Sequence, residues 1–537
     1  MSRKKVERML DKYPASVYKN RKEHFVAIDD ACDTPQTITA NTRAIPGIMT
    51  NRGCCYAGCK GVVLGPIRDA VTIVHGPIGC SYYAWNTRRN KTKPEIGEKN
   101  FINYCFSTDM QDGDVVFGGM KKLRQAIKEA VEIFDPQTIM ICSTCPVGLI
   151  GDDINSIAVE SEKIYGIKVL SFSCEGYKGV SQSAGHHIAN NGLIKHVIGI
   201  GDKAVGKYAI NILGEYNIGG DGFEIERIMK KIGYEIITVM TGNGTVEGLK
   251  NAHKANLNIV QCHRSINYIA EMLHQKYGTD WIKVNFIGIS SMVKSLRDTA
   301  KYFDDKDLTA RTEAVIEEEL MDVLPRLEEF KKVTKGKTAA LFVGGSRSHH
   351  YQKLFKDLGM ETVLAGYEFA HRDDYEGRDV IPSIKIDADS KNIENLEFEP
   401  VPDKYKVTLS KERFEALSQE MELHNYHGMM KDMKNGSIVV DDLNHYETEE
   451  FLKLLKPDVF CSGIKDKYIA HKSGVFSKQI HSYDYSGPYA GFIGTLNFAR
   501  DIVFGMTTPA WGMITPPWKT APMLEGCVVT DGCKNAV

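Results

Sequence analysis

Thr138-Ile139-Met140-Ile141-Cys142-Ser143-Thr144-Cys145-Pro146 is a short apolar run that stops abruptly in a turn of Ser, Thr, Cys and Pro. Upstream, between Asp114 and Phe134, Leu123, Ile127, Ala130 and Phe134 recur on one face at helical spacing. A helix feeding a β-branched strand is half of a βαβ unit, and the same alternation repeats along the chain. Further strand-like runs are Ala70–His75, Lys168–Phe172, Leu257–Cys262, Thr338–Val343, Thr362–Ala365 and Asp458–Cys461. Another helix is predicted from Thr309 to Lys332, with Val315, Leu320, Val323 and Leu327 as its stripe. This pattern predicts an α/β fold with mainly parallel sheets flanked by helices.

At 537 residues the chain exceeds one compact core, so several domains are expected. A formal net charge of −2 argues against a nucleic-acid or anionic-membrane partner. No apolar run is long enough to span a bilayer. The charged start Met1-Ser2-Arg3-Lys4-Lys5-Val6-Glu7 lacks the apolar core of a secretion signal, so a cytoplasmic location is expected. There the 13 cysteines read as buried thiols, catalytic thiols or metal ligands before they read as disulfides.

In parallel sheets, ligands gather at the carboxyl ends of the strands. Directly after the apolar runs of this chain stand Cys80, Cys145, Cys262 and Gly344-Gly345. Cys54, Cys80 and Cys145 each stand beside Gly or Pro, on turns of the kind that let an iron–sulfur cluster approach the backbone. Zinc is the nearest alternative, through the Cys142/Cys145 C-x-x-C pair, although no second pair stands at zinc-ribbon spacing. On spacing alone, cluster ligation and simple buried thiols both remain open. The glycines of Gly242-Asn243-Gly244-Thr245-Val246-Glu247-Gly248 miss dinucleotide spacing and read as a turn. No G-x-x-x-x-G-K-[ST] occurs, so any ATP needed must be bound by another chain. His186-His187 lies in a helix predicted to start at Ser181 or Ser183, where adjacent side chains point apart: one would be a core residue, the other would face a cavity. Cys262 taken singly reads as packing, and His481, in an aromatic turn, as a structural histidine. Arg88, Arg89, Arg347, Lys465 and Lys467 fall near strand ends or turns and could hold an anion, though scattered cations are usually only solvated.

From about Asn41 to Trp518 these stretches resemble the nitrogenase α-subunit family. The block Cys174-Glu175-Gly176-Tyr177-Lys178-Gly179-Val180-Ser181-Gln182-Ser183, followed by Gly185-His186-His187-Ile188-Ala189-Asn190, carries most of that resemblance. It implies two clusters. Cys54, Cys80 and Cys145 match the α-side ligands of the P-cluster, an eight-iron, seven-sulfur centre shared with a β chain. Cys262 and His481 match the two protein ligands of the iron–molybdenum cofactor. Around that cofactor the resemblance places Arg88, Gly344, Gly345 and Arg347, with His186 as a proton donor. It puts Gln182 and Lys465 near homocitrate, and Val62, Tyr216, Ser265 and Phe369 on the cavity wall. Gly344-Gly345-Ser346-Arg347-Ser348 and Tyr367-Glu368-Phe369-Ala370-His371 resemble the molybdenum type more than the vanadium or iron-only types.

The implied activity is reduction of dinitrogen to ammonia with hydrogen evolution, in an α2β2 assembly fed by a separate ATP-hydrolysing iron protein. A cofactor-assembly scaffold of the same fold and a non-enzymatic binding protein are the rival readings. Three α/β domains are expected, 1–205, 206–335 and 336–485, with the cofactor buried where they meet. The arm 486–537 should pack back or onto a partner. A surface insertion, 384–435, should carry one helix from Lys411 to Leu423; it is assigned no chemistry. Roles for Cys55, Cys59 and Cys142 are left open.

Overall fold

The computed structural model describes residues 2–29, 36–43, 47, 52–86, 92, 96–368, 370–381, 393–463, 466–483 and 486–514. Three sheets organise these residues. Strands β2 (Val71–His75), β3 (Thr138–Ser143) and β4 (Lys168–Phe172) form the first, in the order β2-β3-β4. The second has the order β6-β5-β7-β8, from β5 (Ala209–Glu215), β6 (Glu235–Thr241), β7 (Leu257–Val260) and β8 (Trp281–Lys283). The third contains β1 (Phe25–Ala27), β9 (Thr338–Phe342), β10 (Glu361–Tyr367), β11 (Ile438–Asp441), β12 (Val459–Ser462) and β13 (Phe476–Gln479). Its order is β1-β11-β10-β9-β12-β13, parallel except for the antiparallel edge strand β1. The fold is α/β with parallel sheets flanked by helices, as the alternation predicts.

Several local expectations change. The helix drawn from Asp114 to Phe134 is two, Asp112–Phe117 and Met120–Phe134, because Gly118 (φ 91°) breaks the run. The Thr309–Lys332 helix extends over Lys306–Thr334, capped by the Asp305 carboxylate. β1 joins the third sheet, and Val6, Met9 and Leu10 bury against Phe342, Leu364 and Phe451. The N-terminal residues therefore belong with the third sheet and not with the 1–205 unit. Arg21 fixes the join with a two-pronged bond to Glu447, 2.8 Å on each side.

Behind it, Asp441 accepts from the Tyr375 hydroxyl (2.8 Å) and the Asn41 amide (3.3 Å). Burial pushes its carboxyl up to about 7, against the opposing pull of Arg52 and Arg21. The folded chain thus holds this proton more tightly than the unfolded one. The stability it contributes is complete below about pH 4 and is lost as pH rises through about 7. Thermal unfolding of the protein and its Asp441→Asn variant, compared from about pH 5 to about pH 8, should show the parent losing ground to the variant as pH rises. A constant difference would rule out the buried proton.

The inserted segment is more than surface. Its described part, 393–435, has one α-helix, Lys411–Ser418, and a 3-10 turn, Met429–Asp432, and Leu417, Met421, Leu423, Tyr426 and Met429 are buried. It lies along β8: Lys283 N–H donates to Glu422 O (2.9 Å) and His424 N–H to Trp281 O (3.0 Å). An edge strand that would otherwise expose its ladder is thereby covered. Within 486–537, Gly491–Thr507 is a helix packed on Lys306–Thr334 of this chain. Residues 515–537 lie outside the described residues. Among the described residues no helix is long and apolar enough to cross a membrane.

Candidate active site

Two constellations form at strand ends. β2 and β3 are parallel neighbours, so the turns after them lie side by side. Cys80 enters the helix Ile78–Asn86 after β2, and Cys145 opens the helix Cys145–Ile150 after β3. Gly176 joins Cys145 to Cys54. Its N–H donates to Cys145 Sγ at 3.2 Å. A Cβ at Gly176 would stand 3.0 Å from Cys145 Sγ and 3.3 Å from Cys54 Sγ, so a larger residue would displace both sulfurs. Burial, then the neighbouring Cys54 and Cys145, push the Cys80 thiol up. Cys54 and Cys80 are exposed and Cys145 half-buried, so this group faces outward.

The C-x-x-C pair is split. Cys142 sits in the core with Cys59 and Cys174, one sulfur from each within 4.8 Å of the others, while Cys145 lies with Cys54. Cys142 and Cys145 do not act as one chelate. Cys55 is also fully buried.

The second constellation lines a partly enclosed cavity. Its walls come from the carboxyl ends of β5, β7, β9 and β13, the helix Gln182–His196 and the π-helical stretch Ala57–Leu64. Of the residues singled out in the sequence, it brings together Val62, His186, Tyr216, Cys262, Ser265, Gly344, Gly345, Arg347 and His481. Cys262 caps the helix His263–Tyr277, and Ser346 Oγ lies 3.7 Å from its sulfur. Gly345 adopts φ +66°, and a Cβ there would stand 3.2 Å from Cys262 Sγ. Ser265 and Tyr216 join through their hydroxyls. His186 and His187 diverge as adjacent helical residues must: His186 reaches the cavity, whereas His187 meets Tyr268 edge-on at 4.4 Å. The helix starts at Gln182, capped by Ser181.

Gln182 is not on the cavity wall; its buried side chain packs where a Cβ of Gly53 would otherwise stand. Arg88, Arg89, Phe369 and Lys465 lie outside the described residues. Lys467 begins the helix Lys467–Lys472 and does not line the cavity.

The sequence reading missed an acidic support beneath Arg347. Arg347 Nη1 donates to the Tyr483 hydroxyl at 2.6 Å, Tyr483 bonds to Asp221, and Asp221 lies 3.9 Å from the guanidinium. Asp221 also accepts from the amides of Tyr489 (2.7 Å) and Ala490 (3.0 Å). Burial, then the charge of Asp221, pushes Glu215 well above the carboxylate range. One available signal was the position of Tyr483 and Tyr489 in the turn around His481. Another was the acidic first turn of Asp221–Ile232.

The model of the nitrogenase component 1 type oxidoreductases matches residues 54–506. The chain belongs to this family and is an oxidoreductase of the nitrogenase component 1 type, a class whose members bind metal–sulfur clusters. Within it the likeness is to the molybdenum–iron protein alpha chain. That of Clostridium pasteurianum is 56% identical, covering 99% of this chain and 100% of the relative. That of Methanosarcina barkeri is 54% identical, over 96% and 97%. The solved structure of nitrogenase Cp1 at pH 6.5 superposes with a TM-score of 0.93 at 56% identity, covering 96% of this chain and 100% of that one.

Proposed function

We propose that the cavity holds an iron–molybdenum cofactor with homocitrate between Cys262 and His481. Cys54, Cys80 and Cys145 would supply this chain's share of a P-cluster completed by a β chain. The observation that carries this reading is the convergence, among the described residues, of the Cys262 thiol, the His481 imidazole and the half-buried Arg347 guanidinium on a single cavity. A thiolate and an imidazole suit iron and molybdenum, and a guanidinium suits an anionic cluster. Gly345, lacking a Cβ, lets the backbone come close beside the sulfur. When bound, the cofactor would supply the metal surface on which electrons delivered from outside this chain reduce dinitrogen to ammonia, with hydrogen evolved.

The chain's own residues bind, orient and carry protons. Cys262 and His481 anchor. Arg347, held by Tyr483 and Asp221, presents a fixed positive charge. His186, on a helix and buried at the cavity wall, would pass a proton from a ring nitrogen, since an imidazole can both donate and accept. Val62, Tyr216 and Ser265 shape the wall and limit water. Arg88 and Phe369 are proposed to act beside the cofactor, and Lys465 near homocitrate.

The outward-facing thiols support an α2β2 assembly in which the partner supplies the remaining P-cluster ligands. An ATP-hydrolysing iron protein would deliver the electrons, consistent with the lack of a phosphate-binding loop motif in this sequence. The cytoplasm is the proposed compartment. The three sheets support a division near 205 and 335, with the N-terminal residues assigned to the third unit.

Elemental analysis of the anaerobically purified complex tests the assignment. About one molybdenum per chain of this type, with abundant iron, is expected. Vanadium, or iron alone, would overturn the metal type. A complex free of metal would overturn the enzyme reading in favour of a scaffold. Gly345→Ala should lower molybdenum retention, because its Cβ meets both the sulfur and a left-handed backbone that costs roughly 1–2 kcal/mol. Full retention in that variant would show that the cavity does not need the bare backbone.

A further inference from the structure

His274, Asp280 and His424 meet away from both constellations. His274 lies near the end of the helix His263–Tyr277, Asp280 just before β8, and His424 on the inserted segment. One ligand atom from each lies within 4.8 Å of the other two. Asp280 Oδ1 is 2.9 Å from His424 Nε2 and 3.4 Å from His274 Nδ1. Neither nitrogen meets it at a hydrogen-bonding angle, and both nitrogens are shielded from water. The other carboxylate oxygen is committed: Tyr302 donates to Asp280 Oδ2 at 2.9 Å and Thr408 at 2.6 Å.

This is the arrangement of a ligating carboxylate, one oxygen fixed by outer hydroxyls and the other turned toward two imidazoles. The rings are held in place. His424 stacks on Trp281 (5.5 Å, 4° between planes) and meets Phe414 edge-on at 5.2 Å. The two shielded ring nitrogens thus face the carboxylate oxygen without a hydrogen-bond partner. A cation at the centre would engage all three donor atoms.

We propose that His274, Asp280 and His424 bind a zinc-class divalent cation, with water completing a tetrahedral shell. Two nitrogens and one oxygen suit zinc better than calcium or magnesium, which take oxygen ligands. The ion has a way in, since the His274 and His424 side chains are 31% and 15% exposed. Two ligands flank the start of β8 and the third belongs to the insertion, so the ion clips the insertion to the sheet edge it covers. The site owes nothing to the assignment of the cofactor cavity.

The test is diffraction from crystals of the purified holoprotein, treated with a mild chelator and then exposed to zinc, at the zinc absorption edge. An anomalous peak is expected about 2.0–2.2 Å from His274 Nδ1, His424 Nε2 and Asp280 Oδ1. Zinc titration of the same protein should find one equivalent per chain that is lost in His424→Ala, with binding weakened more than about tenfold. No peak at these atoms in the parent crystals, or an unchanged zinc equivalent in His424→Ala, overturns the site. The parent diffraction decides the matter even if the variant does not fold.

Discussion

Replacing Cys262 with alanine is expected to yield a complex that keeps much of its iron and loses its molybdenum and its dinitrogen reduction. Among the described residues Cys262 is the one thiol on the cavity wall, and Ser346 and the bare backbone of Gly345 are arranged around its sulfur. Alanine leaves the helix His263–Tyr277 and the strand before it intact, so the fold should survive. His481→Ala should act alike, because it removes the other anchor. The decisive quantities are the molybdenum-to-iron ratio and ammonia formation with saturating iron protein, with activity expected to fall by about a hundredfold or more. If molybdenum and activity persist, Cys262 is not the anchor. If both metals vanish together, the two constellations are not separate sites.

Cys80→Ala should produce the complementary defect. The outward-facing group of Cys54, Cys80 and Cys145 would lose one ligand while the cavity stays untouched. Iron per chain is expected to fall, association with the partner to weaken in native mass measurements, and molybdenum to be retained. Electron delivery, and with it turnover, should drop by about a hundredfold or more. Normal iron content with normal turnover would remove Cys80 from the ligand set.

Much of this architecture was legible because apolar runs mark buried parallel strands, as in Lys168–Phe172, where reading and structure coincide. The central strand Ala209–Glu215 was harder to see. Asn211 interrupts its apolar pattern, and its partners, Asn258 and the carbonyl of Ala252, are far away in sequence. The helix Gly491–Thr507 was hidden for a similar reason, since its burial depends on the distant Lys306–Thr334. At the site, cysteines after strands were visible one at a time. That Cys54 and Cys145 share Gly176, and that Asp221 and Tyr483 brace Arg347, depends on contacts between residues 31 to 262 apart in sequence. Spacing carries no record of these. The insertion misled for the opposite reason: its prolines and charges suggest a surface loop, yet Tyr426 stacks on His263, beside Cys262, at 4.2 Å.

Cys54 and Cys80 stand exposed beside Ile78, Tyr82 and Tyr83, which are themselves 50%, 46% and 67% exposed. In the proposed assembly this face is a half-socket, and a half-socket is hazardous to a newly made chain. Until a partner closes over it, the chain shows oxidisable sulfur and sticky aromatic surface at one spot. Synthesis of the two chains would therefore have to be matched in amount and time, and a surplus of this one should aggregate or oxidise before it could serve.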